Sequence, residues 1–275
     1  MVISQSDVMA QLRDYCDKYN LPFEHIVTVM SDLKVVPMIR GKSFEYSVSD
    51  ALKSLLGSDW NIENPNINPQ SGDHDADILV SKKGEDKKIR VECKLSAKGK
   101  FRHDNVHITA QVKCMRSRTV SDNEQATRMA RAYGIPRELL VIHADNYRES
   151  DFDYVITSLG NVFWDTIDNN YQFNGSKGDF QILNSLFPSH FHSYNSFKTD
   201  SFNFLLFAKS SDIAANERND ISCRREKCKK NGTDTKCGFI PDYPIIHLDE
   251  VANGTSKWKM LDNLKSELIN FYSID

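Results

Sequence analysis

Apolar side chains recur every three or four positions over residues 43–56, a spacing that places them on one face of an α-helix. Serine is a favoured helix cap, so Ser43 is expected to begin this helix, and Gly57 is expected to end it. The apolar positions are Phe44, Val48, Ala51, Leu52 and Leu55. The pattern predicts a helix over residues 43–56.

Strand-like patterns follow this helix. A short strand is predicted over residues 60–62, and the stretch 64–72, rich in proline and side-chain amides, is predicted to be a loop. Residues 76–81 and 88–95 are typical of β-strands, and the charged segment 82–86 between them is typical of a turn. We therefore predict an antiparallel β-hairpin.

Further elements are predicted towards the C terminus. The pattern predicts a helix over 122–133 and a buried strand over 139–143. Aromatic residues alternate with polar ones over 187–207, which predicts more strands, and apolar spacing predicts a closing amphipathic helix over 256–271. No linker separates these elements, so we expect residues 1–275 to form one α/β domain, a mixed central sheet flanked by helices.

Composition agrees with a folded protein, since 40% of the 275 residues are hydrophobic and 27% are charged. The longest apolar run, residues 204–208, is far shorter than a membrane-spanning helix, and the first 16 residues lack a signal-peptide core. We therefore expect no membrane partner and a cytoplasmic location. The six cysteines are too sparse for a secreted disulfide scaffold and are expected to be reduced.

Charge is segregated along the chain. The formal net charge is −3, yet residues 81–118 carry twelve lysines and arginines against four acidic residues. Such a basic segment within an acidic remainder indicates a polyanion bound at one face of the protein.

The predicted hairpin concentrates charged side chains at one place. In its second strand Glu92 and Lys94 share a face, because side chains alternate along a strand. Antiparallel pairing brings Asp77, at the start of the first strand, beside them. Two carboxylates, completed by a backbone carbonyl and water, are ligands that Mg²⁺ accepts. The alternative interpretation is a solvated hairpin in which Glu92 and Lys94 form a weak surface ion pair without a function.

These residues resemble the signature of the PD-(D/E)xK nuclease superfamily, in which an acid opens one strand and an acid and a lysine, one residue apart, lie on the next. Asp77, Glu92 and Lys94 match those positions, and Glu45 matches a glutamate that the superfamily commonly carries on the preceding helix. The order helix, three strands, helix, strand also matches, so the resemblance covers about residues 41–145 and implies a restriction-endonuclease-like core.

One departure from the superfamily pattern concerns the first acid. Ala76 precedes Asp77 where many members have proline, which leaves Asp73 and Asp75 as rival candidates. Asp77 is favoured because an apolar strand follows it directly. For Glu45, an exposed acid near a helix N terminus, stabilised by the helix dipole, remains the alternative interpretation.

The resemblance implies Mg²⁺-dependent hydrolysis of double-stranded DNA by in-line attack of water. Asp77, Glu92 and the Cys93 carbonyl would hold Mg²⁺, Glu45 would assist directly or through water, and Lys94 would orient the water and stabilise the transition state. The chain length and the lack of helicase, P-loop or methylase motifs favour a sequence-specific type II restriction endonuclease. Alternatives are a junction resolvase or repair nuclease, and a non-catalytic DNA-binding module. Residues 146–275 would then serve target recognition and subunit contacts, and cutting both strands favours a homodimer.

Basic residues downstream of the hairpin are candidate phosphate contacts. A solvated basic loop is the alternative for them, and the last two could read guanine edges instead. The candidates are Lys98, Lys100, Arg102, Lys113, Arg116 and Arg118.

The insertion 222–237 is rich in cysteine and basic residues. Cys223, Cys228 and Cys237, with His247, could bind Zn²⁺. Their spacing is loose, however, and no Cys-x2-Cys pair is present. The spacing therefore favours a basic loop that contacts DNA or is merely solvated, and less than about half an equivalent of zinc is expected.

Overall fold

The computed structural model describes residues 5–65, 76–104, 107–116, 123–230 and 236–272. Over these residues the chain forms a curled mixed β-sheet with helices on both faces. No helix in these ranges is long and apolar enough to cross a membrane.

Eight strands form the main sheet, and two more form a separate hairpin. The main sheet has the order β1-β2-β3-β5-β8-β10, and β4 joins β3 to β9. The strands are β1 (Trp60–Glu63), β2 (Ile78–Lys82), β3 (Ile89–His103), β4 (Ile108–Val112), β5 (Tyr154–Ser158), β6 (Trp164–Ile167), β7 (Asn170–Phe173), β8 (Leu205–Lys209), β9 (Ile245–His247) and β10 (Lys259–Met260). Only the β3–β5 pair is parallel among the pairings described.

The described ranges also contain α-helices. They are α1 (Gln5–Lys18), α2 (Ile26–Ser31), α3 (Val36–Leu56), α4 (Asn123–Tyr133), α5 (Arg137–Ile142), α6 (Lys177–Leu186), α7 (Phe197–Asn203), α8 (Ser210–Ile213), α9 (Glu226–Lys230), α10 (Leu248–Ala252) and α11 (Leu264–Tyr272). The long β3 pairs with β2 and β5 through its first half and with β4 through its second half. It is therefore the strand that connects the two parts of the sheet.

Side chains of the central strand β5 alternate between two hydrophobic cores, one on each face of the sheet. Tyr154 and Ile156 pack on one face against α3 and α11. Val155 points to the opposite face, where an aromatic core is covered by α6, α7 and α10. Because every residue of β5 is buried, both faces of this strand contribute to the core.

The N-terminal part of the sequence prediction is largely confirmed. The hairpin forms as predicted, with β2 and β3 antiparallel, and β1 matches the short strand predicted before it. The first core helix ends at Gly57 as predicted, where a φ of 77° favours glycine. Its predicted start is wrong, since α3 begins at Val36 with Pro37 in its first turn. Ser43 therefore lies inside the helix rather than capping it.

Predictions for the later elements need correction. Residues 139–143 do not form a strand, because the helix α5 follows Pro136 and buries Leu139 and Leu140 against α4. A run of four apolar residues fits a buried helix as well as a strand, so periodicity could not decide between them.

The aromatic stretch 187–207 is also mostly not strand. It contains α7 and the start of β8, and its phenylalanines pack into the aromatic core. The predicted closing helix is shorter than expected, because β10 and a 3₁₀ turn precede α11, which begins at Leu264. Both segments belong to residues 146–275, which were expected to serve target recognition and subunit contacts, and their buried apolar side chains pack in the core instead.

Candidate active site

The hairpin register places the candidate acids opposite each other. Ile78 pairs with Val91, so the next position brings Asp77, just before β2, to the level of Glu92 on β3. The Cys93 backbone N–H donates a hydrogen bond to Asp77 Oδ2 at 2.8 Å. This bond fixes the Asp77 carboxylate at the end of the hairpin. The rival acids Asp73 and Asp75 lie outside the described residues.

Glu92 and Lys94 form a buried ion pair. Lys94 Nζ lies 2.5 Å from Glu92 Oε1, and the two side chains are only 16% and 6% exposed. The hydroxyl of Tyr147 donates a second hydrogen bond to the same Glu92 oxygen at 2.7 Å. The alternative of a solvated surface pair is therefore wrong, because both partners are removed from bulk water.

Glu45 reaches the same group of charges from α3. Its carboxylate pairs with Lys42 one turn earlier on the helix, and its side chain is 16% exposed. The Glu45 charge also acts on Asp77. Because α3 begins at Val36, Glu45 lies in the third turn, so the interpretation as an exposed acid at a helix N terminus is wrong.

The electrostatics of these four groups are strongly coupled. Burial, together with the Glu92 and Glu45 carboxylates, raises the pKa of Asp77 to about 7, although Lys94 and the Cys93 N–H act in the opposite direction. Burial alone would lower the pKa of Lys94, but Glu92, Tyr147 and Asp77 keep it well above its usual value. Lys94 is therefore a cation near neutral pH, which makes it an electrostatic group rather than a general base.

Tyr147 is a site residue that the sequence did not reveal. It lies between α5 and β5, with its ring centre 5.1 Å from Lys94 Nζ as well as its hydroxyl on Glu92. It belongs to no motif, and nothing in the local pattern distinguishes it from a core tyrosine. Its hydroxyl holds the Glu92 carboxylate and its ring contacts the Lys94 ammonium, so it fixes the geometry of the pair.

The ligand type of the three acidic side chains of the site suits a hard divalent cation, although the three carboxylates do not form one of the close groups of potential metal ligands among the described residues. Asp77, Glu92 and Glu45 offer carboxylate oxygens, the ligand type that Mg²⁺ prefers. The raised pKa of Asp77 shows that Lys94 and the Cys93 N–H do not fully compensate burial and the neighbouring carboxylates. A cation bound among these carboxylates would relieve that repulsion.

Four of the candidate phosphate contacts are exposed. Lys98, Lys100 and Arg102 follow Lys94 along β3, and Lys113 follows β4. At about 3.3 Å per residue, Lys98 lies roughly 13 Å from Lys94 along the strand. Lys98 Nζ also donates to Thr166 Oγ1 at 2.9 Å, so the β6–β7 hairpin holds it in place.

Gly99 interrupts the regular pairing of β3 with β4. The register shifts between Ser96 and Phe101, and Gly99 adopts a φ of 65°, which favours glycine. Beyond this bulge Phe101 packs towards the aromatic core, whereas Lys100 and Arg102 alternate with it and are exposed. The bulge thus sets which face of β3 carries these two cations.

Arg116 is not available as an exposed phosphate or base contact, which corrects the prediction for this residue. Its guanidinium pairs with Asp151, and the two side chains are 7% and 3% exposed. It also donates to the Asn146 carbonyl at 2.7 Å and to the Tyr133 hydroxyl at 3.2 Å. Arg116 therefore joins α4 to the loop before β5. Arg118 lies outside the described residues.

We expect Arg116→Lys to lower the free energy of unfolding by about 1–3 kcal/mol, because lysine keeps the charge but not the planar fork of donors. DNA affinity should be nearly unchanged, since the charge is retained. Urea denaturation measures the first quantity and a DNA-binding titration the second. Arg102→Lys, at an exposed position, is the matched control and should change stability by less than about 0.5 kcal/mol. Equal stabilities of the two variants would contradict the internal role of Arg116.

The cysteines of the 222–237 insertion come together, but with a different histidine from the one considered. Cys223, Cys228 and Cys237 lie around His143, whereas His247 lies beside His107 and Asp249. A cavity of about 870 Å³ adjoins this cluster, and its lining includes His143 and Cys223. None of Glu45, Asp77, Glu92 and Lys94 lines that cavity, so its size says nothing about the carboxylate site.

The charged groups at the end of the β2–β3 hairpin are concentrated in one buried place. They are carboxylates and a protonated lysine, with an orienting tyrosine beside them. Comparison with known proteins adds nothing to this geometry, since no protein-family model, no curated protein and no solved structure matches the chain.

Proposed function

We propose that this chain is a Mg²⁺-dependent, sequence-specific endonuclease of double-stranded DNA, of the type II restriction kind. The observation that carries the proposal is the convergence of Asp77, Glu92 and Lys94 at one end of the β2–β3 hairpin. Glu45, from α3, adds a third carboxylate to the same electrostatic group. This residue set resembles the PD-(D/E)xK signature, and the burial of Glu92 and Lys94 supports the proposal.

The order of elements supports a restriction-endonuclease-like core. The helix α3 precedes the antiparallel series β1, β2 and β3, and the helices α4 and α5 lead to β5, which lies parallel to β3. This is the order helix, three strands, helix, strand, with β4 added between β3 and α4. Strands β8 to β10 extend the same sheet and would form the elaborations that recognise the target.

In the proposed reaction, water attacks the scissile phosphorus in line as the bond to the leaving oxygen breaks. The attacking water gives up a proton to solvent, and the leaving oxygen takes up a proton from solvent. The Lys94 ammonium orients the water and stabilises the negative charge that develops on the phosphate oxygens. Glu92 and Tyr147 hold Lys94 in position through the ion pair and the ring contact. The Cys93 N–H fixes the direction of the Asp77 carboxylate.

Asp77, Glu92 and the Cys93 carbonyl would hold Mg²⁺, with Glu45 binding directly or through water. The ion would supply Lewis-acid stabilisation of the negative charge on the phosphate. The carboxylates repel phosphate when no cation is present, so the site itself favours DNA only after the metal has bound.

The direct test is digestion of an unmethylated plasmid of known sequence by the purified protein with Mg²⁺ and with EDTA. Discrete bands that require Mg²⁺ are expected, and mapping their ends gives the target sequence. Cleavage of four-way junctions alone would support a resolvase or repair nuclease instead. Binding without cleavage of any substrate would support a DNA-binding module and contradict the enzymatic proposal.

The exposed cations on β3 are expected to bind the DNA backbone. In the double variant Lys100→Ala/Arg102→Ala, the slope of log K against log salt concentration should become shallower by about 2, because each phosphate contact contributes about 0.9. Fluorescence anisotropy at several salt concentrations, without divalent metal, measures this slope.

Lys83→Ala is the control for this experiment. Lys83 is exposed in the turn between β2 and β3, within the same basic segment but at the opposite end of the hairpin from Asp77. It should leave the slope nearly unchanged. An unchanged slope in the double variant would exclude Lys100 and Arg102 from the interface.

A C2 homodimer on a palindromic site belongs to the same proposal, because the two strands of a duplex are related by two-fold axes. Of the sixteen large apolar side chains exposed in the described part of the chain, twelve lie between Val8 and Tyr46. This concentration favours the α1–α3 region as the contact surface. Light scattering of the complex with a specific duplex should give two chains per duplex. One chain per duplex, with both strands cut at an asymmetric sequence, would rule out the symmetric dimer.

A further inference from the structure

Four potential metal ligands from distant parts of the chain meet in one place. They are the His143 imidazole after α5, the Cys223 thiol before α9, the Cys228 thiol in α9, and the Cys237 thiol. Their ligand atoms all lie within 4.8 Å of one another, and Cys223 Sγ is 3.8 Å from His143 Nε2. In a tetrahedral zinc site, bond lengths of about 2.3 Å to sulfur and 2.0 Å to nitrogen separate the ligands by about 3.5–3.8 Å. The Cys223–His143 distance agrees with that geometry, and the other ligand atoms are close enough to reach it with small movements.

Hydrogen bonds fix the orientation of His143. The Asn146 side-chain amide donates to the Ile240 carbonyl at 3.0 Å and to Asp242 Oδ1 at 2.6 Å, so its oxygen is the atom that faces His143. Asn146 Oδ1 lies 3.0 Å from His143 Nδ1, which therefore carries the proton. The lone pair of Nε2 then faces the thiols. An imidazole held in this way by its second nitrogen is typical of metal-binding histidines.

Packing and backbone donors support the cluster further. The His143 ring stacks on Phe239 with centroids 4.3 Å apart and an interplanar angle of 11°. The backbone N–H groups of Arg225 and Phe239 hydrogen-bond the Cys223 and Cys237 sulfurs. Such N–H donors stabilise thiolates, the form in which cysteine binds a metal.

We propose that His143, Cys223, Cys228 and Cys237 bind one structural Zn²⁺ ion. Three soft thiolates and an imidazole are ligands that select zinc, and four protein ligands leave no open position for substrate. The ion would join the end of α5 to α9 and to the chain that leads to β9, where the buried apolar cluster is small. The site is separate from the carboxylate group of the proposed nuclease.

This proposal reverses the expectation drawn from the cysteine spacing. The fourth ligand is not His247, ten residues after Cys237, but His143, which precedes Cys223 by 80 positions. A linear motif could not include such a residue.

The test is the metal content of the full-length protein, purified under reducing conditions without chelator and without DNA or Mg²⁺. About one equivalent of zinc per chain is expected by inductively coupled plasma mass spectrometry. Protein refolded with Co²⁺ should show the visible absorption of tetrahedral cobalt and thiolate-to-cobalt charge transfer in the near ultraviolet. Less than half an equivalent of zinc, with no uptake of added Zn²⁺ or Co²⁺, would overturn the proposal, as would a disulfide between two of the three cysteines.

Variants locate the ion. Cys228→Ser and His143→Ala should each retain less than about a fifth of the wild-type zinc, whereas Cys114→Ser should retain all of it. Cys114 is as fully buried as Cys228 but lies outside the cluster, so it controls for the loss of any buried thiol. Zinc retained equally in all three variants would overturn the assignment of ligands. Because the readout is metal content, failure of this proposal leaves the nuclease proposal untouched, and the reverse also holds.

Discussion

The variants Lys94→Met and Glu92→Gln are each expected to reduce DNA cleavage by about a hundredfold to a thousandfold. Lys94→Met removes the cation proposed to stabilise charge on the phosphate, and removing one such group typically lowers the rate by 10²–10³. Glu92→Gln removes a charge proposed to bind Mg²⁺ while keeping an oxygen that accepts the Tyr147 hydrogen bond. Plasmid cleavage in Mg²⁺ is the measurement. A rate within tenfold of wild type in either variant would refute the assignment of the site.

The stability of the variants distinguishes a loss of catalysis from a loss of cleavage caused by unfolding. Removing one partner of a buried ion pair leaves an uncompensated charge and destabilises by about 3–5 kcal/mol, whereas replacing both partners is often close to neutral. The double variant Lys94→Met/Glu92→Gln should therefore unfold at higher denaturant concentration than either single variant and still be inactive. Recovery of activity together with stability would contradict a catalytic role.

A matched ion pair on the surface serves as the control. Lys88 Nζ lies 3.2 Å from Glu63 Oε2, and both side chains are about half exposed. Lys88→Met and Glu63→Gln should retain cleavage and change stability by less than about 1 kcal/mol. In DNA binding without metal, Glu92→Gln should bind at least as tightly as Lys94→Met, because it removes a negative rather than a positive charge.

Asp77→Asn is expected to stabilise the metal-free protein at pH 8 while abolishing cleavage. The folded-state pKa of about 7 lies above the ordinary value of 3.8, so Asp77 reduces stability as pH rises between these two values. Three pKa units correspond to up to about 4 kcal/mol at pH 8. Asparagine is neutral at every pH, and its amide oxygen still accepts the hydrogen bond from the Cys93 N–H.

The pH dependence of this gain is the distinguishing measurement. Urea denaturation in EDTA should show a gain about 2–3 kcal/mol larger at pH 8 than at pH 5, with little further rise above pH 8. Asp50→Asn, at an exposed acid on α3, should show no such trend. A gain independent of pH, or a loss of stability at pH 8, would contradict the raised pKa. Added Mg²⁺ should stabilise wild type more than the variant if Asp77 binds the ion.

The local pattern of the chain was sufficient to predict the centre of the candidate site. Alternating side chains and a short charged turn are properties of neighbouring residues, and they determine that Asp77 lies opposite Glu92 in an antiparallel hairpin. Apolar spacing likewise predicted the body and the C-terminal end of α3, which carries Glu45. These predictions succeeded because each depends on contacts between residues that are close in sequence.

The local pattern could not predict where α3 begins or whether residues 139–143 form a helix or a strand. The helix α3 begins seven residues earlier than predicted, with Pro37 in its first turn. By residue type alone, Ser43 was an equally plausible start of the helix. Leu139 and Leu140 are buried in a helix because they pack against α4. A short apolar run is compatible with either conformation, and only the neighbouring element decides.

Sequence alone determined which residue types this chain offers: a carboxylate and lysine hairpin, a basic segment and three clustered cysteines. Tertiary structure alone decided which of them meet. It buried Arg116 against Asp151, although a buried and an exposed arginine look the same in sequence. It brought Tyr147 to Glu92 and His143 to Cys223 across 55 and 80 positions. Such contacts form when separate elements pack on one sheet, and they cannot be predicted from the local periodicity of the sequence.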